Sequence, residues 1–128
     1  MADIRGQLVN APPKAGPGVT PIVLAGCKLL IATWEADAFT KSPMNELTHV
    51  LQRAVAGRTI LHVSLERSRK GEPTDLPAAL QIGNLVVEEM KQQVVKAKQV
   101  KNIDAAVNLA ATTKRLLGLL EEGAKLGG

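Results

Sequence analysis

A thiol and two imidazoles, Cys27, His49 and His62, are the side chains of this sequence best able to act as nucleophile and base. A cysteine attacks as the thiolate, so it needs a partner positioned to take its proton. Cys27 lies inside the most apolar stretch of the chain, where a thiol behaves as a small buried hydrophobe. His49 and His62 fall on different predicted elements, and a structural or surface role is expected for each. No Cys-x-x-Cys, His-x-x-x-His or His-Glu-x-x-His spacing occurs, so no metal site is expected.

Carboxylates offer the next chemistry. Glu35 and Asp37 straddle Ala36 at the end of the apolar run, and Glu46 opens the following element. Meeting at that corner, they would suit metal-dependent phosphoryl transfer. Helix capping and a solvated edge explain the same residues with fewer assumptions. The adjacent pairs Glu88, Glu89 and Glu121, Glu122 splay around a helix and do not build an acid/base site. Neither a Gly-rich phosphate loop nor a Gly-x-Ser-x-Gly elbow is present. The chain therefore reads as non-enzymatic, with no catalytic residue, no cofactor and no evident small-molecule substrate.

Basic residues carry the main alternative. Sixteen Lys and Arg oppose twelve Asp and Glu, for a formal charge of +4. Residues 91–101 hold Lys91, Lys96, Lys98 and Lys101 without an acid, while Arg53, Arg58, Arg67, Arg69 and Lys70 form a second cluster broken by Glu66. Lys91 and Lys98, seven apart, share a helix face. With Lys101, Arg67, Arg69 and Lys70 they are the candidate contacts to a phosphate backbone. The competing explanation is that lysines late in a helix, with Glu88 and Glu89 earlier, complement its dipole. Trp34 and Phe39 are the only Trp, Tyr or Phe rings, so binding through base stacking is disfavoured.

These residues must be placed by helices. Leu76, Leu80, Gly83, Val87, Met90, Val94 and Ala97 recur at alternating steps of four and three, the seam of an amphipathic helix or coiled coil. Leu85, Val86, Val95 and Val100 widen the apolar arc, which predicts more than one neighbour. A second stripe runs through Ala106, Leu109, Thr113, Leu116, Leu117 and Leu120. Between them Asn102 suits a left-handed C-terminal position and Asp104 suits the cap of the next helix. A helical hairpin is favoured over one long helix across residues 76–120. Thr74 or Asp75 is the expected cap at its start, with Pro77 in the first turn.

The N-terminal half is less regular. Residues 1–20 form a Pro/Gly-rich arm, and residues 21–126 a single helix-rich domain. Residues 21–39 are too uniformly apolar for periodicity to separate a buried helix, the favoured reading, from a strand at 21–25. A helix opens at Ser42 and Pro43, with Leu47, Val50, Leu51, Ala54 and Val55 on one face and Gly57 as its stop. Residues 59–66 alternate, with Leu61, Val63 and Leu65 opposite Ile60, His62, Ser64 and Glu66, which predicts one short β element. Gly83 and Gly118 fall inside predicted helices, marking close helix approach or, for Gly118, early fraying.

A lone cysteine excludes an internal disulfide, no charged-then-apolar leader opens the chain, and the longest nearly uncharged stretch, residues 20–34, is too short to span a membrane. A cytoplasmic protein is expected. The fold expected is mainly α, the C-terminal half packed on N-terminal helices. The function expected is that of a small structural or assembly protein, forming a homo-oligomer or binding a helical partner. Leu76, Leu80, Val87, Met90, Val94, Leu109, Leu116 and Leu120 are its expected interface, and the arm is expected to contact a neighbour. The alternative is a basic nucleic-acid-associated protein that touches backbone.

Overall fold

A computed structural model describes residues 4–10, 13, 14, 16, 19–37 and 43–127, the side chains of residues 4, 5, 43–46 and 127 excepted. Five helices run through them: α1 (Ile4–Asn10), α2 (Pro21–Asp37), α3 (Pro43–Arg69), α4 (Leu76–Gln99) and α5 (Ile103–Gly127). α3 is the central element and packs on α2, α4 and α5; α4 and α5 form an antiparallel hairpin; α1 lies on α2 and α4. The mainly α expectation holds, with the C-terminal helices packed on the N-terminal ones.

Local chemistry sets the helix ends. Thr20 caps α2, its Oγ1 accepting from the Val23 N–H at 3.3 Å, and Pro21 takes the first helical position. Asp75 caps α4, its Oδ1 accepting from the Ala78 N–H at 3.2 Å. Between α4 and α5 the left-handed residue is Lys101, at φ 61°, and not Asn102. The Asn102 N–H reaches the Ala97 carbonyl at 2.8 Å and the Lys101 N–H the Lys98 carbonyl at 3.1 Å, which together make a Schellman closure. Asn102 instead caps α5, its side-chain oxygen accepting from the Ala105 N–H at 3.3 Å. Asp104 lies in the first turn of that helix, where its charge complements the dipole.

Two expectations fail in α3. Residues 59–66 are helical and Gly57 does not end the helix; among the described residues there is no strand, only an isolated bridge between Gly16 and Val19. Ile60, Leu61, Ser64 and Leu65 are all buried, a helical pattern hidden beneath the apparent alternation. The helix stops at Gly71, at φ 72°, where the Glu72 N–H closes onto the Arg67 carbonyl at 2.9 Å. A short helix also replaces the first part of the arm, and Leu8 of α1 is buried against the chain's own bundle. The remaining expectations for the arm fall partly on residues outside those described.

The core is aliphatic, centred on Leu30, Ile60, Leu61, Leu65, Val86, Met90, Leu109 and Leu116, with Trp34 at its edge. Each such burial contributes roughly 1.5–3 kcal/mol, so a ring-poor chain can still build a stable bundle. Glycines set how closely the helices approach. A Cβ at Gly57 would lie 3.2 Å from Val86 Cγ2, and one at Gly83 would lie 2.8 Å from Leu120 Cδ2 and 3.2 Å from Leu61 Cδ2. Gly83 thus marks a close approach, as its place in the stripe implies. Gly118 has open space where a Cβ would go, and α5 continues past it to Gly127, so it marks neither a close approach nor early fraying.

These two glycines give opposite expectations in urea denaturation. Gly118→Ala should stabilise the protein by about 0.5–1 kcal/mol through helix propensity. Gly83→Val should destabilise it by about 1–3 kcal/mol through overpacking. Equal midpoints for Gly83→Val and the wild type would contradict the α3–α4–α5 packing.

Candidate functional site

The side chains with chemistry gather where α2, α3 and α4 meet. Arg53 is 2 % exposed. A guanidinium so placed must find carboxylates, because an unpaired buried charge is severely penalised. Its Nη2 lies 2.7 Å from Asp37 Oδ2 and 2.7 Å from Glu89 Oε2, and its Nε donates to the same Glu89 oxygen at 2.8 Å. His49 Nδ1 meets the other Asp37 oxygen at 2.5 Å, and Trp34 Nε1 donates to Glu89 Oε1 at 3.4 Å. One nitrogen, Arg53 Nη1, is buried without a partner among the described residues.

This network is built for position. Asp37 is spent on Arg53 and His49, so it does not join Glu35, which is exposed; the Glu46 side chain is outside those described. Cys27 is 4 % exposed, and burial pushes its thiol pKa upward, which holds it protonated and unreactive. His49 is bonded to Asp37 and His62 is exposed on α3. Among the described residues no group of three His, Cys, Asp or Glu could hold a metal ion. Phe39, the second ring considered for base stacking, is outside the described residues, and Trp34 is 3 % exposed.

The basic residues separate into different roles. Arg67 donates from Nε to the Pro73 carbonyl at 3.0 Å and pairs with Glu72 at 3.0 Å, holding the α3–α4 connection. Arg69 joins Glu66 at 2.8 Å to Glu122 of α5 at 3.0 Å, and the Glu122 hydrogen bond leads the effects that raise its pKa. Lys91 lies 3.7 Å from Glu88, and Lys70, Lys98 and Lys101 are exposed. The expected Arg and Lys patch is thus divided between structural pairs and solvent. Sequence reasoning missed the burial of Arg53; the signal was its place beside Ala54 on the inward side of α3.

The apolar stripes are used inside the chain. Leu76, Val87, Met90, Leu109, Leu116 and Leu120 are buried, and Leu80 and Val94 pack against the same core. These eight positions satisfy one another within a single copy. Uncovered apolar side chains remain both around the α4–α5 turn, where Val95, Val100, Ile103 and Val107 are exposed, and on the outer side of α2 and α3. Ile22, Ala25, Leu29 and Ala32 repeat at helical spacing along α2, and all are exposed. Beside them a shallow groove of about 330 Å³ is lined by Leu29, Leu51 and Val55 together with Thr48 and Gln52. No helix among the described residues is long and apolar enough to cross a membrane.

Arg53→Met should destabilise the fold by about 3 kcal/mol in urea denaturation, because Asp37 and Glu89 lose their shared counter-charge. That figure is at the low end for a broken buried pair, since both carboxylates keep some contact with water. Replacing the carboxylates as well, in Arg53→Met/Asp37→Leu/Glu89→Leu, should recover much of the loss. A triple variant no more stable than the single one would contradict the network. The chain matches no protein-family model, no curated protein and no solved structure.

Proposed function

We propose that this protein is a non-enzymatic helical assembly protein whose copies associate through the outer face of α2 and α3. The observation that carries this reading is α2 itself, which is apolar on the face it turns outward as well as on the face it buries. A helix that exposes an aliphatic ridge as well as burying one has a second face left to cover. Ile22 is 56 % exposed, Leu29 38 % and Val55 of α3 52 %. One patch holds both an aliphatic ridge and the groove to receive one, which favours a second copy of the chain related by a two-fold axis.

Charge supports the same arrangement. Lys28 and Glu35 are exposed on α2 seven residues apart, so antiparallel α2 helices from two copies bring opposite signs together. Such rim pairs set register more than affinity. At 1.5 Å per residue α2 is about 25 Å long, and with α3 beside it a paired face buries on the order of 1,000 Å² in total, the lower bound for a specific interface. The self-interface is therefore assigned to α2 and α3 in place of the stripes of α4 and α5.

Light scattering of the purified chain tests this reading. The wild type should run at a multiple of 13.6 kDa, and Leu29→Glu/Val55→Glu should fall to the one-chain mass with its helical circular dichroism intact. Val95→Glu/Val107→Glu, which charges exposed positions near the α4–α5 turn, should keep the parent mass. A wild type at the one-chain mass, or a Leu29→Glu/Val55→Glu variant at the parent mass, would remove the proposal.

A second reading rests on the exposed Lys91, Lys98 and Lys101 of the α4–α5 hairpin, which leave a basic surface for phosphate backbone. It expects retention of duplex DNA or RNA that falls with salt and weakens in Lys91→Ala/Lys98→Ala. Retention insensitive to both would exclude it.

A further inference from the structure

We infer that the cleft between α3 and α5 binds a phosphorylated small molecule, held by Arg58 from one wall and Arg115 from the other. The cleft has a volume of about 530 Å³, within the range of small-molecule sites. Arg58 and His62 line it from α3, and Arg115, Gly118, Leu119 and Glu122 from α5.

The pairing of the arginines is what distinguishes this place. Arg53, Arg67 and Arg69 each have carboxylate partners. Arg58 and Arg115 have none among the described residues, yet they share one cleft. Glu122, the acid on the wall, is occupied by Arg69 at 3.0 Å, and Arg69 is held in turn by Glu66 at 2.8 Å. Two like charges on one cleft repel each other until an anion lies between them. A guanidinium presents a planar fork that matches phosphate oxygens, and two forks suit a diphosphate better than a single small anion.

The rest of the lining fits a ligand with an organic part. Apart from the local backbone of α5 and the two neighbouring residues, no described atom lies within 4 Å of where a Cβ at Gly118 would go, so its backbone leaves room in the cleft. Leu119 supplies an apolar surface, and the exposed His62 adds a ring nitrogen that can donate to an oxygen. Among the described residues no Trp, Tyr or Phe ring lines the cleft, so recognition rests on phosphate charge and aliphatic contact more than on base stacking. The site is separate from the α2–α3 face, and its test is independent of the oligomeric state.

Isothermal titration of the full chain with inorganic pyrophosphate at constant ionic strength tests the assignment. One saturable site per chain is expected. Affinity should fall at least about tenfold, or about 1.4 kcal/mol, in Arg58→Gln/Arg115→Gln. Lys14→Gln/Lys125→Gln removes the same charge from exposed positions that do not line the cleft and should bind as the wild type does. Gly118→Leu fills the cleft without changing charge and should also weaken binding. The inference is overturned by a wild type that shows no saturation up to about 10 mM. It is equally overturned by undiminished affinity in folded Arg58→Gln/Arg115→Gln, or by an equal loss in the lysine variant.

Discussion

A guanidinium sealed from water has to have its counter-charges brought to it, and Arg53 draws them from two other helices. Asp37 ends α2 and Glu89 lies midway along α4, so the three helices are tied at one point of α3. Trp34 and His49 attach to the same carboxylates and narrow the rotation α2 can adopt. With Trp34 and Asp37 directed inward, Gly26, Cys27 and Leu30 follow on the same face at helical spacing. Ile22, Leu29 and Ala32 are then forced outward. The exposed apolar face is a consequence of the buried polar one.

The second constraint is closeness. Gly26 faces Ile60, Gly57 faces Val86, Gly83 faces Leu120 and Leu61, and Gly123 faces Leu80 and Leu65. At each of these crossings a missing side chain on one helix admits an aliphatic one from another. The helix-propensity cost of a mid-helix glycine is about 1 kcal/mol, and close packing of branched side chains offsets it. Few aromatic residues are needed when helices approach this closely, which accounts for a core made almost wholly of Leu, Ile, Val, Ala and Met.

Much of this fold was legible in the sequence where the period was clean. The stripes through Leu76 and Leu120 and the hairpin between them followed from spacing, and cap chemistry narrowed the start of α4 to Thr74 or Asp75. At the turn, the left-handed residue and the cap of α5 were placed at Asn102 and Asp104, where the structure has Lys101 and Asn102. The strand at residues 59–66 was misread because Ile60, Leu61, Ser64 and Leu65 satisfy a helical period as well as they blur an alternating one. Gly57 read as a stop because a glycine that ends a helix and one that admits Val86 look identical in sequence. Arg53 was grouped in sequence with the basic cluster of α3, since its burial depends on carboxylates 16 residues before it and 36 after it. The stripes of α4 and α5 were recognised as association surfaces, but each found its partner within the chain, and the uniform hydropathy of α2 concealed which of its faces stays open.

Isotope-filtered methyl NOE spectroscopy on a mixture of labelled and unlabelled full-length chains addresses the central claim most directly. If copies meet through the outer face of α2 and α3, contacts between chains will connect the methyl groups of Ile22, Leu29 and Val55. Contacts between chains confined to Val95, Val107 or other α4 and α5 methyl groups, or none at concentrations where the mass is that of a multimer, would contradict it.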